Sequence, residues 1–537
     1  MTPGQSFDAI IVGAGFAGLR MLHRMRELGF SAVVLEAGDG IGGVWHWNRY
    51  PGARCDVTSP DYSYPFDPDL DQEWTWSERY ATQPEILRYI DHVADRFDLR
   101  RDIRLNTRVT AATFDGSSDT WTVSIDGGSD LQARWLLMAT GQLSATRTPD
   151  FPGLESFAGE VLWTAKWPKE GRDLSGKRVA VIGTGSSGTQ MIPVIAPDVA
   201  HLTVFQRTPN FSVPAGNRPL TEAEQAEIKA TYPQRRAALH NTPSGMSVPV
   251  YKESALEATP EQRRARYEAA WGEVGFGFVL SYADLLLDER ANETAADFLR
   301  EKIRAAVDDP ETAEKLSPRG YPFGAKRPCV DTNYFETFNL PHVTLVDVRA
   351  DPIAEITPTG VRTKSGHHDA DVLILATGFD ALTGALDRIE IRGLDCTLRE
   401  RWAKGPSTYL GLAISGFPNM FVVAGPGSPS LLTNVIVSIE QHAQWVGDLL
   451  VHARESGVTR IDVDPEAEHK WTAHVAEAAA KTLYPRADTY YLSGGAFMPY
   501  VGGVRGYRRV CESVAADGYT GFTFSREALA AAQPSRS

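Results

Sequence analysis

Two glycine-rich turns carry the chemistry that can be read first. Gly13-Ala14-Gly15-Phe16-Ala17-Gly18 follows the apolar run Ala9 to Val12, and Gly183-Thr184-Gly185-Ser186-Ser187-Gly188 follows Val179 to Ile182. Each spacing sets a tight turn between a buried strand and a helix N-terminus, where free backbone N–H groups and the helix dipole attract a pyrophosphate. One such turn is a weak signal. Two in one chain imply two nucleotides, as in an enzyme that passes electrons from one cofactor to another.

The residue that ends the second strand of such a unit meets the ribose, so its charge discriminates between cofactors. Ser31 to Leu35 ends at Glu36, whose carboxylate accepts hydrogen bonds from ribose hydroxyls and would repel a 2′-phosphate; this favours FAD at the first turn. Leu202 to Phe205 leads instead into Gln206-Arg207-Thr208, a guanidinium with no acid. The fixed donor fork of arginine suits a phosphate, so the second turn favours NADPH over NADH. An ordinary surface arginine is the competing reading. Thr184, Ser186 and Ser187 add hydroxyls inside that turn, within reach of phosphate oxygens.

The elements that must hold these turns read as an α/β chain. Leu19, Leu22, Met25 and Leu28 recur at helical spacing after the first turn, and Gly29 ends that helix. Strand-like runs at Trp121 to Ile125 and Trp135 to Thr140 lead into Ala139-Thr140-Gly141, and Val372 to Leu375 leads into Ala376-Thr377-Gly378. Each unit thus closes with the same turn. The expected fold is two Rossmann-like, doubly wound dinucleotide-binding domains with a helical insertion. FAD binding is expected in 1–145 and 380–537, NADP binding in 146–215 and 325–379, and the insertion in 216–324. Its helical character is read from cap candidates at Thr221 and Thr259 and from helix-forming residues between Ala291 and Val307. The chain is expected to rejoin the first unit through Phe421 to Gly427, continue as a helix from about Leu432 to Ala453, and fray at Gln533 to Ser537.

Composition fits this frame. A chain of 537 residues divides into about three domains at roughly 100 to 200 residues each, and 42% hydrophobic with 23% charged residues is enough apolar material for their cores. A net charge of −14 argues against a nucleic-acid surface. Cys55, Cys329, Cys396 and Cys511 are dispersed without a Cys-x-x-Cys pair. That weighs against a disulfide framework, a cysteine zinc site, and the redox chemistry of the pyridine nucleotide-disulfide oxidoreductases. No metal is expected. The first residues lack a basic region with an apolar signal core, and no run reaches about 18 apolar residues, so no membrane association is expected and a reducing cytoplasm is the simplest location. The oligomeric state is left open, monomer included.

The segment Gly42-Gly43-Val44-Trp45-His46-Trp47-Asn48-Arg49-Tyr50-Pro51-Gly52-Ala53-Arg54-Cys55-Asp56 is more specific, as are Tyr80 to Tyr89, Gly320 to Arg327 and Thr377 to Gly384. On these motifs nearly the whole chain resembles the type I Baeyer-Villiger monooxygenases. The resemblance implies that NADPH reduces FAD, that oxygen adds at the flavin C4a position, and that the resulting peroxyflavin attacks a ketone to give an ester or lactone. Molecular oxygen and a ketone are then the partners. Arg327 matches the family's active-site arginine and Asp56 the aspartate that orients it; a structural ion pair is the bland alternative. An arginine suits an oxygen anion because it stays charged and is no proton source near neutral pH. The resemblance also assigns cofactor contacts to Asp56 and Arg327 themselves and to Phe16, Gly43, Trp45, Tyr62, Thr140, Thr208, Thr377 and Gly378, with Lys326 sharing the 2′-phosphate with Arg207. Solvated surface cations are the competing reading for both. Trp45 and Trp47 are expected to wall the flavin, and Leu431, Leu432 and Thr433 to line the substrate side.

Two departures limit what is carried over. The family's Phe-x-Gly-x-x-x-His-x-x-x-Trp linker reads Phe157-Ala-Gly159-Glu-Val-Leu-Trp163-Thr-Ala-Lys-Trp167 here, so an indole replaces the histidine. Indole neither accepts a hydrogen bond nor titrates. The segment 488–503 is shorter than the family's closing loop and lacks its Pro-Gly-Lys, which puts water exclusion in question; harmless loop variation is the alternative. Oxygenation of sulfur or nitrogen, or an uncoupled NADPH oxidase, therefore stands as a second reading.

Overall fold

The structure, a computed structural model, describes residues 5–273 and 275–526; the expected fraying of Gln533 to Ser537 lies outside them. Two separate sheets follow from the two buried apolar runs, the first mixed, with Thr120–Ile125 antiparallel to both its neighbours, and the second parallel throughout. Ser6–Val12 lies between Ala32–Leu35 and Leu131–Met138, parallel to both, with Ile10 opposite Val33 and Leu136. Alternate residues serve opposite faces: Ala9 and Ile11 enter one core cluster, Ile10 and Val12 another. Burial on both faces is why the strand reads as an unbroken apolar run. The chain returns to this sheet twice from downstream, as Glu390–Arg392 beside Val109–Asp115 and as Met420–Val422 beside Leu131–Met138.

The second sheet runs Val343–Asp347, His201–Gln206, Arg178–Ile182, Val372–Leu375, Glu160–Trp163, all parallel. Val179 and Val181 face one core, Ala180 and Ile182 the other. The Trp163 segment is part of this sheet. It forms the edge strand, with Trp163 in register with Leu375, and its half-buried indole packs against the apolar cluster on one face of this sheet. The expectation that Trp163 stands in the connection between domains is corrected: the edge strand follows the connection that leaves Leu131–Met138, and the indole serves as apolar cover.

The insertion is helical, with Glu222–Leu239, Pro260–Glu273, Glu289–Ala306 and Pro310–Leu316 as its main helices. Thr221 and Glu224 form a reciprocal capping box at the first of them. These helices divide between the two units. Arg236 leaves the first helix to donate to Asp71 at 2.6 Å and the Ser63 carbonyl at 3.0 Å in the first unit, whereas Ile303, Ala313 and Leu316 pack under the second sheet. Two element boundaries differ from the sequence reading: the long C-terminal helix is Val435–Glu455, capped by the Asn434 side chain, and the strand around Trp135 begins at Leu131. Among the described residues no helix is long and apolar enough to cross a membrane.

Candidate active site

Steric demand shapes the first turn. Gly13 has φ +104°, and a Cβ there would lie 2.5 Å from the Ala139 carbonyl oxygen of the closing Ala139-Thr140-Gly141 turn. A Cβ on Gly18 would lie 1.8 Å from the Gly13 oxygen, and one on Gly43 would lie 3.0 Å from the Gly15 Cα. Strand, turn and helix therefore meet backbone to backbone. Glu36 is buried at their edge, its Oε2 accepting from the Ala14 N–H at 2.8 Å and its Oε1 from the Gly38 N–H at 2.7 Å. Each oxygen keeps a lone pair for a further donor such as a ribose hydroxyl. Phe16, Trp45 and Tyr62 form one aromatic wall. The Trp45 Nε1 donates to the Tyr62 hydroxyl at 3.2 Å, and the Phe16 and Trp45 rings meet Tyr62 edge-on at 5.3 and 5.8 Å. Burial pushes the Tyr62 phenol far above its ordinary value, so it acts as a hydrogen-bonding group. Trp47 parts from Trp45. It is 36% exposed and borders a surface groove with Lys166 and Lys169.

The second turn repeats these demands. Gly183 has φ +113°, and its Cβ would lie 2.3 Å from the carbonyl oxygen of Ala376, just before Thr377-Gly378; a Cβ on Gly188 would lie 2.3 Å from the Gly183 oxygen. A Cβ on Gly185 or Gly378 would meet no atom within 4 Å, so the backbone there borders open space. The Thr184 hydroxyl is spent on the Thr208 carbonyl at 3.4 Å, which leaves exposed Ser186 and half-buried Ser187 as the available hydroxyls. Exposed Arg207 and half-buried Lys326 lie near Arg349, which donates to the Thr208 hydroxyl at 2.8 Å. Burial lowers the Lys326 ammonium from its usual value and Arg207 and Arg349 reinforce that, against an opposing pull from Asp488. Three cations so placed repel one another unless an anion joins them.

Asp56 and Arg327 meet across 271 positions of chain. The Arg327 Nε donates to one Asp56 carboxylate oxygen at 2.7 Å and a terminal nitrogen donates to the other at 3.0 Å, a bidentate pair. A second terminal nitrogen points at the Leu431 carbonyl, 3.4 Å away, and the guanidinium lies 4.4 Å from the centre of the Phe276 ring. Burial pulls the Arg327 pKa down, but Asp56 outweighs it and the net shift is upward. The charge is permanent. Leu431 and Leu432 join Leu382, Tyr484, Tyr491 and Phe497 in one apolar cluster. Thr433 does not face this space: its hydroxyl donates to the Pro429 carbonyl at 3.1 Å inside its own turn.

The shortened C-terminal segment is a tight hairpin. Leu492–Ser493 pairs with Ala496–Phe497 around Gly494 and Gly495, both with positive φ, as a two-residue loop requires. A Cβ on Gly494 would lie 3.2 Å from the Gly405 nitrogen, so the hairpin tip is seated on that loop.

A family model described as pyridine nucleotide-disulphide oxidoreductase matches residues 10–255, while the four cysteines are free. A Baeyer-Villiger monooxygenase of Pseudooceanicola batsensis is 41% identical over 538 residues, covering 98% of each chain. A phenazine N-monooxygenase of Lysobacter antibioticus is 42% identical over 528 residues, covering 96% of each. The solved structure of an oxidized steroid monooxygenase bound to NADP superposes with a TM-score of 0.94 at 50% identity, over 97% of this chain and 99% of that one. The chain belongs to the Baeyer-Villiger monooxygenases. It is an FAD-containing, NADPH-dependent enzyme of that family.

The residues fit both cofactors of a Baeyer-Villiger monooxygenase. The first turn, Glu36 and the aromatic wall suit an adenine dinucleotide without a 2′-phosphate, and the cation cluster at the second turn suits one that carries it. Sequence reasoning missed Arg349 there. Its signal is topological: Val343–Asp347 runs parallel to His201–Gln206 with Asp347 opposite Gln206, so residues just beyond both strands share one end of the sheet. Phe276 was also missed, and no local pattern marks it. Arg207→Ala and Arg349→Ala are each expected to raise the Michaelis constant for NADPH about tenfold and to change that for NADH by under about twofold, because each would remove one cation from the cluster that suits a 2′-phosphate. Initial rates with the two coenzymes check this; an unchanged preference in both variants would leave Lys326 as the phosphate ligand.

Proposed function

We propose that this monooxygenase oxidises an apolar ketone held between Arg327 and the Leu431 cluster, with Arg327 and Asp56 as the catalytic pair. When bound, FAD takes a hydride from NADPH and activates oxygen, which is inserted beside the ketone carbonyl to give an ester or lactone. The observation that carries the reading is the bidentate Asp56–Arg327 pair with its third contact at the Leu431 carbonyl. Of five guanidinium N–H donors, these contacts take three. The remaining two can face negative charge that develops on oxygen during insertion. Asp56 fixes the fork, and the fixed fork cannot protonate what it stabilises. Leu431, Leu432, Tyr491 and Phe497 supply an apolar wall that keeps water from the reacting atoms.

Purified FAD-loaded protein with NADPH, oxygen and a panel of cyclic and arylaliphatic ketones tests the reading. Ester or lactone should form in proportion to NADPH consumed. Hydrogen peroxide as the sole product across the panel would sink it. Oxygenation at nitrogen or sulfur is the second reading, favoured by the phenazine N-monooxygenase relative; phenazines and aryl sulfides in the same assay decide between them. The uncoupled-oxidase alternative, which would give hydrogen peroxide in place of an oxygenated product, is separated by the same assay. A cytoplasmic location is supported by four unpaired cysteines.

A further inference from the structure

One helix touches the chain on both sides of the catalytic pair. Ser186–Ile195 begins at the second glycine turn, and its residues Ser186 and Gln190 are four apart, on one face. The Ser186 hydroxyl lies 3.8 Å from the Cys329 sulfur, two residues beyond Arg327. The Gln190 carboxamide lies against the loop that leads to Asp56. Its Oε1 accepts from the Tyr50 hydroxyl at 2.8 Å and from the Arg54 N–H at 3.4 Å, and its Nε2 donates to the Arg54 carbonyl at 3.1 Å. Arg54 stands two residues before Asp56.

The contact is built for close approach. A Cβ on Gly52 would lie 2.6 Å from the Gln190 carbonyl oxygen, so only glycine lets the loop rest on the helix. Tyr50 and Ala53 are buried in one apolar cluster with Met191, Ile192 and Ile195 of the helix and with Trp167. A carboxamide with both ends engaged on one backbone residue fixes register as well as distance. The helix N-terminus that would hold a pyrophosphate is therefore joined, one turn on, to the backbone that aims Asp56.

We propose that Gln190 is a positioning residue that ties occupancy of the second glycine turn to the placement of Asp56 opposite Arg327. The inference rests on the reading that NADP binds at that turn. A dinucleotide that orders the first turn of the helix orders Gln190 with it, and through Gln190 the Arg54 to Asp56 backbone. The two nucleotide units then communicate through a side chain rather than through Trp163.

Hydrogen exchange of the full FAD-loaded chain, with and without NADP+, tests this without turnover. In the wild type, NADP+ should slow exchange at 183–188 and, by about tenfold, at 54–57, a size typical of coupling between sites. Gln190→Ala should keep the protection at 183–188 and reduce that at 54–57 to under about twofold. Tyr50→Phe, which removes only the hydroxyl that donates to Gln190, should halve the effect and serves as the test should the alanine variant lose FAD. Undiminished protection at 54–57 in both variants would overturn the proposal. Failure of NADP+ to protect 183–188 in the wild type would instead remove the reading beneath it.

Discussion

Arg327→Ala is expected to leave FAD bound and reducible by NADPH while ester or lactone formation falls by roughly 10²- to 10³-fold, the usual cost of removing one donor from developing negative charge. The electrons should appear as hydrogen peroxide. The hydrogen bonds of Arg327 go to Asp56 and Leu431 rather than to either glycine turn, so cofactor loading should persist; what disappears is the fixed positive charge beside those two residues. Asp56 would be left with neither of its two charged hydrogen bonds. Breaking a fully buried pair costs about 3–5 kcal/mol, and because the two side chains keep 17% and 26% of their exposure a smaller loss of stability is expected. Arg327→Lys separates charge from geometry. It keeps the charge but offers a single point of donation where the fork makes two parallel bonds, so insertion should recover in part. Anaerobic bleaching of the flavin measures reduction, and product against peroxide measures insertion. Wild-type ester yield in Arg327→Ala would take the guanidinium out of the chemistry.

What the sequence makes legible divides by the range of the force that fixes it. The glycine turns are legible because part of their demand is local: Gly13 and Gly183 have positive φ, and Gly18 and Gly188 approach the oxygen of the glycine five residues before them closer than any Cβ allows. Glu36 and Arg207 can be placed because the strand that follows each turn has a fixed length. The Asn434 cap, whose side chain accepts from the Ile436 N–H at 3.1 Å, is a local signal too, obscured by the apolar Leu431 and Leu432 just before it. Asp56 and Arg327 are different: nothing within a helical turn of either residue names the other, and only resemblance brings them together. Trp163 is misplaced by sequence for the same reason, since its neighbour is Leu375 across a sheet rather than anything near it in the chain. Gln190, Arg349 and Phe276 act through tertiary contacts that no single segment encodes.

Because the two turns meet the same steric demand, the same substitution should disable them separately. Gly188→Ala places a methyl group 2.3 Å from the Gly183 oxygen and 3.2 Å from its carbonyl carbon. The obstacle is backbone, so a side-chain rotation cannot relieve it; the helix must move away from the turn. A displacement of about 1 Å at a site that positions a reacting group costs on the order of 10²-fold, and flavin reduction by NADPH should fall by about that much while FAD remains stoichiometric. Gly18→Ala meets a harder obstacle, the Gly13 oxygen at 1.8 Å, and should yield protein that purifies without FAD and melts earlier, since loss of a tightly bound ligand removes its share of stability. Flavin absorbance per mole of protein and stopped-flow reduction give the two readings. If Gly188→Ala lost FAD, or Gly18→Ala kept it and lost only NADPH, the assignment of the cofactors to the turns would be reversed, and with it the meaning of Glu36 and Arg207. A dithionite control distinguishes slow hydride delivery from a damaged flavin: reduction of Gly188→Ala by dithionite should match the wild type, because the first turn and its Glu36 contacts are untouched.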